Sequence, residues 1–211
     1  MSKYRLTYCE DGEVRFISHL DFLRTMVRTF KRAKLPVKYS EGFNPHMVMS
    51  IGLPLSVGTT TACDMLELEL TEDVDTSEAT ERINSCTPRG IRVIKMEKAE
   101  GLKPMHTIDS ALYSAEFETD KKIDIEEYIK APCVMIEKKS KRKINEVNIK
   151  DFIRTIDVVS TDGKNHKINM VLNAGNNSNL KPELVLNSMN KFFACETAYA
   201  KIERKEIYFE D

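Results

Sequence analysis

The sequence predicts an α+β protein made of two ferredoxin-like (βαββαβ) halves with mainly antiparallel sheets. Two observations lead to this class. Stretches that alternate apolar and polar residues, typical of half-buried strands, are interleaved with stretches of helical periodicity. Their order, β-α-β-β-α-β, occurs twice, and this order builds a split βαβ unit with two helices on one face of a sheet. We therefore predict a first half at 1–100, a linker at 101–107 and a second half at 108–211.

The first half begins with an alternating strand, a turn and a short second strand. Ser18 then caps a helix that runs to about residue 33, with Asp21 as its capping-box partner. The predicted elements are, in order, strands at 4–9 and 13–17, the helix at 18–33, extended stretches at 37–39 and 47–51, a strand at 64–70, a helix at 77–86 and a strand at 91–96.

Two of these elements have a predicted buried face. In the first helix, helical spacing indicates an apolar seam, which consists of Leu20, Leu23, Val27 and Phe30. In the strand at 64–70, acidic and apolar residues alternate, which is typical of a half-buried strand. We expect Glu67 and Glu69 to lie on its solvent side.

The second half repeats the pattern with additional strands. The predicted elements are a strand at 111–117, a helix at 123–130, a strand at 134–137, a hairpin of strands at 152–159 and 166–172, a helix from Pro182 to about residue 190 and a closing strand at 198–209.

The composition and charge of the chain limit the classes of function that it can have. The chain has 211 residues and a net charge of −1, which gives no overall nucleic-acid signature. The charge is uneven: residues 15–38 hold seven basic residues and one acid, while 61–100 hold five basic residues and ten acids. No apolar run is long enough to cross a membrane, and the start of the chain does not resemble a secretory leader. The five cysteines lack metal or cluster spacing, so we expect a cytoplasmic protein with no membrane partner, metal or cofactor.

The first helix carries a stripe of arginines spaced four residues apart. Arginine suits phosphate or carboxylate recognition because its planar group donates two hydrogen bonds at once. The candidate nucleic-acid or anion-binding residues are Arg15, Arg24, Arg28, Arg32 and Lys38. The alternative is a solvated helix face whose ion pairs involve the acidic 61–100 region.

A long loop rich in glycine and proline follows this helix, at 39–58. Loops of this length and composition are more often functional than mere connections. Its aromatic residues suit base stacking and its acid, amide and histidine suit proton transfer. The candidate site residues are Tyr39, Ser40, Glu41, Phe43, Asn44 and His46. The alternative is that His46 anchors the loop.

Common catalytic and nucleotide-binding motifs are absent from the sequence, including the nucleophile elbow and the phosphate-binding glycine loops. Five of the six residues at 138–143 are basic, which is more typical of a solvated turn than of a phosphate contact. We therefore expect a binding protein more readily than an enzyme.

Four segments resemble a bacterial family, the radical-SAM-linked domain of unknown function. They are R-F-I-S-H-L-D at 15–21, R-A-K-L-P-V-K-Y-S-E-G-F-N-P-H at 32–46, S-I-G-L-P-L-S-V-G at 50–58 and K-P-E-L-V-L-N-S-M at 181–189. The resemblance covers nearly the whole chain. Members of this family are fused to radical SAM proteins or encoded beside them.

The resemblance implies a radical SAM protein as partner. This chain has no C-x-x-x-C-x-x-C motif, so a separate protein would carry the cluster. The leading hypothesis is an accessory module that presents a substrate, RNA, to that enzyme. Two alternatives remain: a stand-alone enzyme or small-ligand-binding protein that uses the loop at 39–58, and a module that binds protein only.

Overall fold

The computed structural model describes residues 2–139 and 144–210, which divide into two compact units, one ending at Ile108 and one spanning Asp109 to Glu210. Residues 101–107, predicted as a linker, belong to the first unit and include a short 3₁₀ helix at Met105–Thr107. The basic run extends over 140–143, outside the described residues, so its role as a solvated turn stays a prediction.

The first unit is a four-stranded antiparallel sheet with two helices. Its sheet order is β4-β1-β3-β2, which is the order expected when two split βαβ units interlock. The elements are β1 (Ser2–Glu10), α1 (His19–Arg32), β2 (Met49–Ile51), β3 (Thr59–Leu70), α2 (Thr76–Cys86) and β4 (Ile91–Lys98).

The core of the first unit lies between one face of this sheet and the two helices. Because side chains alternate along a strand, every second residue of β1 and β3 points into this core. The principal buried side chains are Tyr4, Leu6 and Tyr8 from β1, Leu66, Leu68 and Leu70 from β3, Phe22, Met26 and Phe30 from α1, and Ala79 and Ile83 from α2. The opposite face of the sheet carries the charged residues of the same strands.

The second unit has the same element order with one addition. Its main sheet has the order β10-β5-β9-β8, and an inserted pair, β6 and β7, forms a separate two-stranded sheet. The elements are β5 (Ile108–Thr119), α3 (Ile125–Lys130), β6 (Met135–Lys139), β7 (Ile144–Asn148), β8 (Ile153–Asp162), β9 (Asn165–Asn173), α4 (Pro182–Phe193) and β10 (Thr197–Phe209).

The second unit buries the corresponding faces. Ala111, Tyr113 and Ala115 on β5 lie opposite Leu172, Met170 and Ile168 on β9, and all six are buried. Tyr128 of α3 and Ser188 of α4 share a buried hydrogen bond of 2.7 Å, which satisfies two polar groups inside the core. The predicted α+β class, with two βαββαβ halves and mainly antiparallel sheets, is confirmed.

Two predictions about the segment from residue 13 to the end of α1 are wrong. The strand predicted at 13–17 is a 3₁₀ helix, Gly12–Phe16. Asp11 accepts a hydrogen bond from the backbone N–H of Gly12, whose φ of 67° starts a turn and not a strand. In α1, Leu20 is exposed, while Phe22, which was outside the predicted seam, is buried. The buried stripe contains Phe22, Met26 and Phe30, spaced four residues apart, with Thr29 beside them.

Candidate functional site

The arginine stripe lies on the face of α1 that turns away from the core. Ser18 caps the helix by accepting from the backbone N–H of Asp21, and Arg82 of α2 donates to the carbonyl of Ala33 just past its end. Since Phe22, Met26 and Phe30 fix which face is buried, the stripe of Arg24, Arg28 and Arg32 is exposed.

Arg24 is partly neutralised by an acid of its own helix. Its Nη1 lies 2.9 Å from Oδ1 of Asp21, and both side chains are exposed. A hydrogen bond from Ser18, followed by one from Arg24, holds the pKa of Asp21 below its ordinary value. Within 2–139 and 144–210, no acidic side chain lies at ion-pair distance from Arg28 or Arg32. Arg28 attracts Asp21 only at longer range, so the two arginines nearest the C-terminal end of α1 are those without an ion pair to any described residue.

The other two predicted cations have internal contacts. Lys38 Nζ lies 2.7 Å from Oε2 of Glu69, and each side chain is about one-third exposed, so its charge is balanced. The guanidinium of Arg15 stacks 4.7 Å above the ring of Phe16, and its buried Nε has no hydrogen-bond partner among the described residues. The structure does not place Arg15 or Lys38 on the stripe.

The first part of the long loop is a closed hairpin. Tyr39 pairs with Met47, and the backbone N–H of Ser40 donates to the carbonyl of His46 at 2.8 Å. Ser40 Oγ accepts from the backbone N–H of His46 and lies 2.9 Å from its Nδ1. The simplest proton arrangement has the hydroxyl donating to Nδ1, which leaves the ring proton on Nε2. In this structure His46 anchors the loop, as the alternative interpretation expected.

The hairpin projects its remaining candidates into solvent. Glu41, Phe43 and Asn44 are exposed, and the ring of Phe43 is fully exposed. Gly42 has a φ of 118°, which a residue with a side chain adopts only under strain, so glycine shapes this tip. At the base of the hairpin, Lys31 Nζ lies 6.0 Å from the centre of the Tyr39 ring. This cation–π contact joins the hairpin to the basic face of α1.

The second part of the loop packs onto the unit and is not continuous with the hairpin. Leu53 is buried, and a side chain at Gly52 would lie 3.0 Å from Cδ1 of Ile108. The backbone N–H of Gly58 donates to the carbonyl of Arg15. The predicted single surface at 39–58 therefore divides into an exposed hairpin and a packed return segment.

Sequence reasoning missed a charged cluster on the sheet face opposite the helices. Arg5 and Glu67 are 6% and 4% exposed, and Arg5 donates to Oε1 of Glu67 from Nη2 at 2.6 Å and from Nε at 3.1 Å. Lys3 Nζ lies 2.7 Å from Oε2 of the same carboxylate. The prediction that Glu67 faces solvent is wrong. The sequence did contain a sign of this cluster. Lys3 and Arg5 alternate with apolar residues along β1, so their side chains lie on the same face of the sheet as Glu67.

Lowering the pH is expected to remove the contribution of Glu67 to stability. Burial by itself raises the pKa of Glu67, but hydrogen bonds from Lys3 and Arg5 outweigh burial and bring the pKa below 4.5, its ordinary value. The contribution is therefore full above 4.5 and is lost as the pH falls through the folded-state pKa. Urea unfolding of the wild type and of Glu67→Gln should show a difference in stability that shrinks below pH 4.5; a constant difference would contradict this reading.

Within the described residues, no group of three or more histidine, cysteine or acidic side chains is arranged to hold a metal ion. Among the described residues, none of the five cysteines forms a disulfide bond.

In the described parts of the chain, no helix has both the length and the apolar character that crossing a membrane requires.

Comparisons with known proteins give one family and several distant structural similarities. No curated protein matches the sequence. A crystal structure of a Cbf5-Nop10-Gar1 complex is similar with a TM-score of 0.49 and 10% identity, over 97% of this chain and 50% of that chain, so this chain spans about half its length. A crystal structure of an unknown protein from Galdieria sulphuraria gives a TM-score of 0.29 and 9% identity, over 96% of this chain and 98% of that chain.

The family match is of a different kind, because it rests on the sequence and covers most of the chain. The profile of a family described as an uncharacterized protein conserved in bacteria matches residues 3–182, which include α1, the hairpin and the strands that carry Arg5 and Glu67. The chain therefore belongs to this bacterial family, DUF2344.

Proposed function

We propose that this protein is a non-catalytic accessory module that binds RNA on the exposed face of α1 and presents it to a separate radical SAM enzyme. The observation that carries the proposal is the pair Arg28 and Arg32, which are exposed and lack an acidic partner among the described residues. Exposed cations without an acidic partner are available to neutralise phosphate charges.

The hairpin beside α1 supplies the second kind of contact that single-stranded RNA needs. Tyr39 is 41% exposed and Phe43 is fully exposed, although burial of aromatic rings is normally favourable. Bases stack on such rings with about 1–3 kcal/mol each, and stacking tolerates any sequence. A basic helix next to exposed aromatic rings therefore favours RNA over an acidic protein partner, because RNA bases stack on the rings and acidic side chains do not.

The radical SAM partner is the part of the proposal that rests on the resemblance of the sequence motifs. The chain has five cysteines, and none are spaced to hold the cluster of such enzymes, so in this proposal the partner carries the cluster. This module would hold the RNA near the partner's active centre.

Replacing Arg28 and Arg32 together by glutamine is expected to weaken RNA binding by roughly tenfold or more at low salt. The salt dependence should fall as well, by about 0.7 in the log–log slope for each lost phosphate contact. Fluorescence anisotropy with a labelled single-stranded RNA of about 16 nucleotides measures both quantities.

The matched control is Arg89→Gln with Arg92→Gln. Both arginines are exposed and lie in or next to β4 and not on α1, and the variant has the same change in net charge. If the control loses as much affinity as the α1 variant, or the α1 variant loses none, RNA binding by this helix is wrong.

The two alternatives make different predictions in the same experiments. A module that binds protein only should capture its radical SAM partner in a pull-down and show no affinity for RNA. A stand-alone enzyme would use Glu41, Asn44 and His46, and a bound metabolite at the hairpin would favour it. In the hairpin, Glu41 and Asn44 are exposed, and His46 contacts Ser40. The three residues therefore lie on an open surface.

A further inference from the structure

A second potential binding site lies in the first unit, on the sheet face opposite α1 and α2. It is a cavity of about 330 Å³. Its floor is formed by β1, β2 and β3 through Lys3, Arg5, Ser50 and Glu67, and one wall is formed by the segment from Ala99 to His106. Pockets for small ligands generally begin at about 300 Å³, so the cavity has the size for a small organic molecule.

Two charged side chains in the floor are almost completely buried. Arg5 and Glu67 are 6% and 4% exposed, and Arg5 also donates to the carbonyl of Lys103 at 2.7 Å. A buried ion pair is a poor stabiliser, because the loss of hydration offsets most of the attraction, and apolar residues of similar volume often do as well. Buried charges that line a cavity of ligand size are therefore better explained by binding than by stability.

The balance of charge in the cavity favours an anion. Lys3 and Arg5 bring two positive charges, and Glu67 brings one negative charge whose two oxygens already accept from them. The Lys3 side chain is 53% exposed, and an ammonium group has three hydrogens, of which Glu67 accepts one. The exposed Ser50 and His106 add further polar groups at the rim. The cavity thus has a surplus of positive charge and donors.

The wall of the cavity adds an apolar surface. Leu102, Pro104 and Met105 line it, and methionine side chains pack well against aromatic rings. Gly52 brings this wall close to β2: a side chain there would lie 3.1 Å from the sulfur of Met105. A ligand that matches both sides of the cavity has an anionic group next to an apolar body.

We propose that this cavity binds a small organic anion, a carboxylate or a phosphate monoester with a ring-sized apolar body, through Lys3, with Arg5 compensating the charge of Glu67 in the floor. Lys3 makes the direct contact with the anionic group. Glu67 orients both cations. The apolar body lies against Met105 and Pro104. This site is separate from the α1 surface and does not depend on RNA binding.

The test uses the full chain and two probes that share an aromatic body, phenyl phosphate and benzoate, with benzyl alcohol as the neutral analogue. Calorimetry and amide chemical shifts of Ser50 and Met105 report the binding. We expect saturable binding of at least one anion and none of the alcohol. Tighter binding of phenyl phosphate identifies a phosphate ligand, and tighter binding of benzoate identifies a carboxylate ligand.

Lys3→Ala is expected to weaken binding of the preferred probe about tenfold or more, while Lys3→Arg retains it. The matched control is Lys95→Ala: Lys95 lies on β4, is exposed and pairs with Glu97 at 2.6 Å, much as Lys3 pairs with Glu67. The proposal is overturned if neither anion saturates the protein, if benzyl alcohol binds as well, or if Lys3→Ala binds like Lys95→Ala. The Arg28 and Arg32 variant should bind the probe normally, which separates this result from that of the RNA experiment.

Discussion

Glu67→Ala is expected to lower the free energy of unfolding by about 3–5 kcal/mol, the usual cost of removing one partner of a buried ion pair. The variant leaves the guanidinium of Arg5, which is 6% exposed, without its carboxylate in the sheet. Lys3 loses the same partner, but its side chain is half exposed and regains water. Urea unfolding at neutral pH measures the loss.

Glu69→Ala is the control for this result, because Glu69 lies two residues further along the same strand. Its ion pair with Lys38 has the same 2.7 Å distance as that of Glu67 with Lys3, but both side chains are about one-third exposed. Partly exposed pairs contribute about 0–1 kcal/mol, so this variant should be nearly as stable as the wild type. If the two variants lose equal stability, Glu67 does not sit in the buried pair described above.

Phe22→Ala is expected to cost about 3–5 kcal/mol, as other truncations of buried phenylalanine do. The ring of Phe22 stacks on that of Tyr8, with centres 5.1 Å apart and planes 21° apart, so its removal opens a cavity between α1 and β1. Thermal or urea unfolding of the variant gives the magnitude.

The comparison that decides this prediction is Leu20→Ala on the same helix. Leu20 is 61% exposed, and substitutions at such positions change stability by about 0.5 kcal/mol or less. The sequence seam predicted the opposite order, with Leu20 in the core. A larger loss at Leu20 than at Phe22 would show that α1 packs through the seam predicted from sequence.

The seam was misplaced for a physical reason. Helical spacing is compatible with more than one apolar stripe in α1, because its apolar side chains spread over an arc of about 160°, wider than the roughly 100° that one buried stripe needs. They are Leu20, Phe22, Leu23, Met26, Val27 and Phe30. The stripe that becomes buried is the one that fits the partner surface, here the ring of Tyr8. Periodicity indicates that a helix has a buried face, and packing selects which stripe it is.

For the candidate site too, the sequence predicted some features and only the structure showed the others. Sequence patterns predicted the exposed arginines of α1, since residues spaced by four lie on one face of a helix. They also predicted an unusual loop, but not that its first part closes through Ser40 and His46 while its second part packs beneath. They could not show that Lys38 is balanced by Glu69, a residue 31 positions away.

Local sequence by itself determined the repeated β-α-β-β-α-β order, the Ser18 cap of α1 and the α+β class, because these depend on interactions between residues a few positions apart. It did not predict the 3₁₀ helix at Gly12–Phe16 or the inserted strand β7. The tertiary structure decided which charges are compensated and where a cavity forms. Arg5 meets Glu67 across 62 residues, and Lys103 joins them from a segment 98 residues away from Arg5. Such contacts depend on strand register and on the path of connecting segments, which are set by the packing of the whole unit.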